Sequence, residues 1–250
     1  MNPKLLQEGL IELGLPAEGE LAARLSAYIE AIEAWNPSHG LVGASGDELI
    51  IKHILDSLAP LANLDRLASE ASATRRAGGA RATDASPIEV ARTRTSLADL
   101  GTGAGLPGIP LALARPGWDL ALIDRMTRRI HFLEEMKESL PLPNADIVET
   151  QVEHAKGSFD LVAFRAFRPF ERKLFKKVFA VCAPWGFVAA YKGRREKAEA
   201  ELGEIKDLYD EAEILPVKVP FLDDERCLVV LRPAQKNKGA GSRPPIKGRT

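Results

Sequence analysis

The sequence predicts an α/β fold built on a mainly parallel sheet, and three observations carry that prediction. From Ser96 onward, short apolar runs alternate with segments of helical periodicity, the pattern of a sheet covered on both faces. The first run ends at Asp99 and Leu100, and Gly101, Gly103 and Gly105 follow at alternate positions before Pro107 opens a helix. Glycine permits positive φ and close approach of backbone to a ligand, and a helix start offers unpaired N–H groups, so this loop reads as a cradle for a nucleotide-like molecule. Asp124 ends the second run, about 20 residues beyond the loop, where a carboxylate accepts hydrogen bonds from ribose hydroxyls.

The 250 residues, 45% hydrophobic and 28% charged, suffice for one sizeable core with an N-terminal extension. No apolar run approaches the roughly 20 residues that span a bilayer, and no charged-then-apolar leader opens the chain. No membrane association or export is therefore expected. Cys182 and Cys227 stand far apart without neighbouring histidines, which predicts neither a disulfide framework nor a metal site and fits a reducing cytoplasm. The net charge of −1 hides an uneven distribution. Residues 234–250 carry Lys236, Lys238, Arg243, Lys247 and Arg249 among Gly, Pro and Ser with no acid, and read as a disordered basic tail, either merely solubilising or a phosphate-contacting arm.

Residues 1–64 are expected to form a helical cap. Leu21, Leu25, Tyr28, Ile29 and Ile32 make an amphipathic stripe within two helices over residues 3–35. Trp35-Asn36-Pro37 is expected to break it, because proline disfavours helix in the residue before it. Asp47 reads as the N-cap of a further helix whose apolar face holds Ile50, Ile51, Ile54, Leu55, Leu58 and Leu61. Its other face presents His53, Asp56 and Ser57. That trio mimics a hydrolytic triad, but a helix surface supplies no strained nucleophile elbow, so a ligand-facing polar patch or a solvated face is the better reading. Residues 65–95, rich in Ala, Arg, Ser, Thr and Gly, are expected to be a flexible insertion or linker.

Residues 96–233 are read as the ligand-binding domain. Strands are expected at 97–100, 120–123, 145–148, 159–164 and 186–191, with helices at 107–114, 127–140, 170–182 and 194–209. Residues 213–220 and 226–231 are expected to close the sheet as an antiparallel pair. Ligands of such sheets bind at the carboxyl ends of the strands where the strand order reverses. Gly103 to Gly108 also satisfies the dinucleotide fingerprint, but the chain has no second nucleotide half.

At this point the sequence resembles one family, the small-subunit ribosomal RNA guanine-N7 methyltransferases, RsmG or glucose-inhibited division protein B. The resemblance rests on Trp35-Asn36, His53-Ile54-Leu55-Asp56-Ser57 and the run from Asp99 through Gly108 to Pro110. It extends to Asp124 with Arg128-Arg129-Ile130-His131-Phe132-Leu133, to Val152-Glu153, to Phe164-Arg165-Ala166 and to Lys192-Gly193. It implies a Rossmann-like seven-stranded class I S-adenosylmethionine-dependent methyltransferase sheet with an N-terminal helical cap, acting on a guanine of 16S ribosomal RNA; nothing in the sequence demands an oligomer, and a monomer is expected. By motif position, Gly101, Gly103, Gly105 and Leu106 line the cofactor, Asp124 holds its ribose, and Val152 and Glu153 border the adenine. Arg165 faces both cofactor and target as the catalytic residue. Arg128, Arg129, Arg168 and Lys192 are the expected RNA contacts. The family commonly has Asp-Ser and a Lys-Arg pair around the second loop and a serine before the arginine; here Arg125, Arg128-Arg129 and Phe164 stand instead.

The residues around the sheet agree with that chemistry. Guanine N7 has a free lone pair and needs no prior deprotonation, so alignment suffices. The fourth loop carries Arg165 and Arg168 rather than an Asn-Pro-Pro-Tyr amine site. The readings left beside it are a methyltransferase for a small molecule or protein, and a nucleotide-binding regulator without catalysis.

Overall fold

The computed structural model describes residues 2–77, 93–165 and 169–234. Arg168, the middle of the expected linker and nearly all of the expected tail lie outside the described residues.

Seven strands form one sheet in the order β3-β2-β1-β4-β5-β7-β6. They are β1 (Thr95–Leu100), β2 (Trp118–Asp124), β3 (Ala145–Glu149), β4 (Phe159–Arg165), β5 (Cys182–Lys192), β6 (Tyr209–Pro216) and β7 (Cys227–Pro233). The first five run parallel; β7 is antiparallel to β5 and to β6. The order reverses between β1 and β4, which places a crevice at their carboxyl ends.

Side chains alternate across the sheet, as the period of two requires. Leu97, Leu120, Leu122, Leu161 and Ala163 enter one apolar cluster, whereas Ala98, Ala121, Ile123, Val162 and Phe164 enter the other. The second cluster is covered by α8 (Arg172–Ala180) and α9 (Arg195–Glu204). The first is covered by α6 (Gly108–Ala114), α7 (Thr127–Ser139) and the N-terminal helices. Those are α1 (Pro3–Glu12), α2 (Glu20–His39), the short α3 (Gly46–Leu49), a π-helical turn (Ile50–Leu55), α4 (Asp56–Leu58) and α5 (Leu61–Arg76). The cap therefore shares one core with the sheet. Among the described residues no helix is long and apolar enough to cross a membrane.

Several boundaries depart from the sequence expectation. Helix α2 continues through Pro37 and ends at Gly40, in the left-handed region with φ 56. The missing N–H falls in the last turn, and the Asn36 side chain stitches the exit by accepting from Val42 N and donating to Val42 O. Asp47 lies inside the first turn of α3 rather than capping it; Ser45 is the cap position. Residues 65–76 are not linker but the body of α5. Leu64, Leu67, Ala68, Ala71 and Arg75 are buried at helical spacing, a stripe hidden in the sequence because two members are alanine and one is an arginine. Arg75 is neutralised by Asp160, with Nη1 2.9 and 2.8 Å from the two carboxylate oxygens, and Asp160 also accepts from Trp185 Nε1 and from Ser96. Cys182 begins β5 rather than ending a helix, because it pairs with Phe159 ahead of a bulge. Likewise Tyr209 belongs to edge strand β6, whose Asp210, Glu211 and Glu213 keep that edge charged.

Candidate functional site

The glycine loop leaves β1 at the crevice. Gly101 N and Thr102 N both donate to Ile123 O on β2, at 2.8 and 3.0 Å, turning the chain across the end of that strand. Gly101, Gly103 and Gly105 all hold positive φ. At Gly103 a side chain would meet nothing closer than 4.0 Å, so the loop is open there. The reverse holds at Gly108, where a Cβ would lie 2.2 Å from Leu122 and 2.8 Å from the Asp99 carboxylate. The start of α6 thus packs directly on β1 and β2. Tyr28 of α2 donates its hydroxyl to Ala104 O at 2.6 Å, fastening the loop to the cap.

Asp99 is fully buried beneath this loop. Its Oδ2 accepts from Thr102 Oγ1 at 2.5 Å and from Gly108 N at 2.8 Å, while Oδ1 is buried without a partner among the described residues. Burial pushes its carboxyl up to about 6, partly offset by those hydrogen bonds and by the Arg165 charge.

Asp124, at the end of β2, accepts from Gly103 N at 2.9 Å, Met126 N at 2.9 Å and Arg129 Nη1 at 3.2 Å. It joins the glycine loop to the second loop. Arg129 is thereby turned toward the crevice, whereas Arg128 is exposed. Val152 and Glu153 form a 3-10 turn after β3, both half-buried.

Arg165 ends β4 on the other side of the crevice. Its Nη1 donates to Asp56 Oδ2 at 2.9 Å and to Lys52 O at 2.8 Å, and its Nη2 donates to His53 Nδ1 at 2.8 Å. The guanidinium is thus gripped by the π-helical turn, a wider coil frequent at functional sites, and by Asp56 at the start of α4. Burial and the adjacent guanidinium push His53 down to about 4, leaving its ring neutral and able to accept. Asp56 Oδ1 also meets Arg226 Nε at 3.3 Å, so one carboxylate serves two guanidiniums. Ser57 departs from the expected patch. It is wholly buried, its hydroxyl turned back onto His53 O and its carbonyl accepting from Tyr191.

A cleft of 730 Å³ opens beyond Arg165, at the carboxyl ends of β4 and β5. His53, Asp56, Arg165 and Lys192 line it; Gly101, Gly103, Gly105, Leu106, Asp124, Val152 and Glu153 do not. Lys192 is held by Glu201 at 2.5 Å and lies 4.2 Å above the Phe170 ring. The structure therefore brings together the two sequence motifs at Arg165 and His53-Asp56, and joins Asp124 to the glycine loop. It leaves Arg128 apart on the surface. Sequence reasoning missed Tyr28, whose stripe position concealed its hydroxyl, and Arg226, just before β7, with Arg194 and Lys197 at the start of α9, which all line the cleft. A carboxylate ending an apolar strand was the available signal for Asp99.

The family described as GidB, rRNA small subunit methyltransferase G, matches residues 85–229. The chain is 33% identical over 236 residues to the Ribosomal RNA small subunit methyltransferase G of Treponema denticola, covering 91% of this chain and 93% of that protein. It is 32% identical to the protein of the same name from Nitrosococcus oceani, covering 93% and 96%. The solved tRNA (m1A58) methyltransferase TrmI from Aquifex aeolicus superposes with a TM-score of 0.47 at 12% identity, over 57% of this chain and 63% of that one. With the family match spanning more than half of the chain and the relatives nearly all of it, this chain belongs to the GidB family, rRNA small subunit methyltransferase G.

Proposed function

We propose that the protein methylates N7 of a guanine in 16S ribosomal RNA, with S-adenosylmethionine as the methyl donor, acting as a monomer in the reducing cytoplasm. The observation that carries this reading is the position of Arg165. It ends β4 at the crevice, is held there by Asp56 and His53 of the cap, and lines the cleft beyond β4.

The residues present fit the cofactor. The loop is open at Gly103, and the buried, unpartnered Asp99 Oδ1 beneath it offers an acceptor to a cationic amino acid end. Gly101, Gly103, Gly105 and Leu106 would hold that end, Asp124 the ribose, and Val152 and Glu153 the adenine edge. When bound, S-adenosylmethionine supplies a methyl group on a sulfonium. The chain's own part is to orient the guanine and exclude water. Arg165 offers a guanidinium to the guanine O6 or an adjoining phosphate. Neutral His53 accepts a hydrogen bond from that arginine and takes no proton, in keeping with a nucleophile that already has a free lone pair.

Incubation with labelled S-adenosylmethionine and 16S RNA from cells lacking the protein tests the reading. Label is expected in 7-methylguanosine, and Arg165→Ala is expected to lower the rate on the order of 100-fold. Absence of RNA label from a chain that binds the cofactor in calorimetry would reject it.

A further inference from the structure

The cleft beyond Arg165 has a charge balance that the proposed methyl transfer does not account for. Lys52, Arg165, Lys192, Arg194, Lys197 and Arg226 line it, against Asp56 and Glu201. Most of these cations are already answered: Arg165 and Arg226 share Asp56, Lys192 has Glu201, and Lys52 has Glu48 at 2.5 Å. Arg194 and Lys197 have no side-chain partner among the described residues, and both are exposed. They also stand at the start of α9, where the helix dipole disfavours cations. His53 adds no positive charge, since its ring is held neutral.

An unpaired cationic wall is notable on a chain whose net charge is −1. A polyanion cannot be drawn by the molecule as a whole, so attraction has to come from a local cluster. The cleft volume of 730 Å³ falls within the roughly 300–1,000 Å³ typical of sites that enclose ligands of moderate size. Its mouth is continuous with Arg165, the one proposed catalytic residue that lines it.

Resting on the reading of an RNA guanine as substrate, we infer that this cleft seats the RNA strand flanking the target guanine, with Arg194 and Lys197 contacting its phosphates. The two side chains then set RNA affinity without touching the methyl donor. Arg165 stands between the strand and the cofactor loops.

The test is RNA binding by the full chain across a salt series, using 16S RNA from cells lacking the protein, with wild type, the double variant Arg194→Gln/Lys197→Gln, and a control Lys4→Gln/Lys206→Gln that removes equal charge elsewhere. Each phosphate contact to a single strand contributes about 0.7 to the slope of log affinity against log salt, so the cleft variant should lose about 1.4 from that slope and about tenfold in affinity. Its KM for RNA should rise by a similar factor with kcat and cofactor binding unchanged, while the control behaves as wild type. A cleft variant with wild-type slope and KM, in a preparation where wild type methylates RNA, overturns the inference alone. An equal loss in the control overturns it too, because the effect is then one of net charge. If wild type binds S-adenosylmethionine but neither binds nor methylates RNA, the functional reading itself fails and takes this inference with it.

Discussion

The Arg165 guanidinium and the Asp56 carboxylate meet at 2.9 Å, closing a contact between residues 109 positions apart. The pair is largely withdrawn from solvent, and Asp56 holds Arg226 at 3.3 Å on its other oxygen. Asp56→Asn keeps the shape but leaves Arg165 without its counter-charge and Arg226 with only Asp224, at 3.9 Å. It should cost about 1–3 kcal/mol of stability and lower kcat for RNA methylation by about tenfold, with cofactor affinity unchanged. Denaturant titration, calorimetry and steady-state kinetics check the three parts.

His53 and Asp99, both shifted at the site, give opposite pH dependences. His53 is lowered from 6.5 to about 4, first by burial and then by Arg165. Between those values the unfolded chain binds more protons, so acidification through this window destabilises the fold. Asp99 is raised from 3.8 to about 6, chiefly by burial; there the folded chain holds the extra proton, and stability falls as pH rises through the window. His53→Gln should therefore lessen the fall in Tm between pH 6.5 and 4, and Asp99→Asn should steepen it. Thermal melts at half-unit intervals would show both, and equal changes in the two variants would contradict the assignment.

Two glycines of one motif should respond differently to alanine. At Gly108 the added Cβ collides with Leu122 and Asp99, an overpacking of about 1–3 kcal/mol. Gly103 has room but holds φ 63, so its cost is the left-handed strain of about 1 kcal/mol. Gly103→Ala should nevertheless weaken S-adenosylmethionine binding, because the new methyl stands in the open part of the loop. Calorimetric titration beside denaturant unfolding separates the two effects.

Arg75→Met should be among the most destabilising single changes in the chain. It leaves the buried Asp160 carboxylate with hydrogen bonds from Trp185 and Ser96 but no cation, a loss of about 3–5 kcal/mol. Adding Asp160→Asn should recover part of that loss, since the orphaned charge is then gone. Denaturant midpoints of the single and double variants decide it.

Local pattern made much of this protein legible in advance. The alternation of strands and helices from residue 96, the glycine loop and the acid ending β2 depend on period, backbone freedom and short-range spacing, which a sequence displays directly. The misreadings came where distant partners override local preference. Pro37 stays helical because its missing donor falls at a helix end that Asn36 restitches. Residues 65–76 are helix because Asp160, 85 positions from Arg75, makes a buried arginine tolerable.

By itself, then, the sequence determined the α/β class, the cradle after β1 and the resemblance to one methyltransferase family, since each is written in neighbouring residues. Only the tertiary structure decided that Arg165 is gripped by His53 and Asp56, that Ser57 turns inward, and that Arg194 and Lys197 face one cleft with Lys52. Those outcomes depend on which elements pack together and how far each side chain is desolvated, and both are set by long-range contacts.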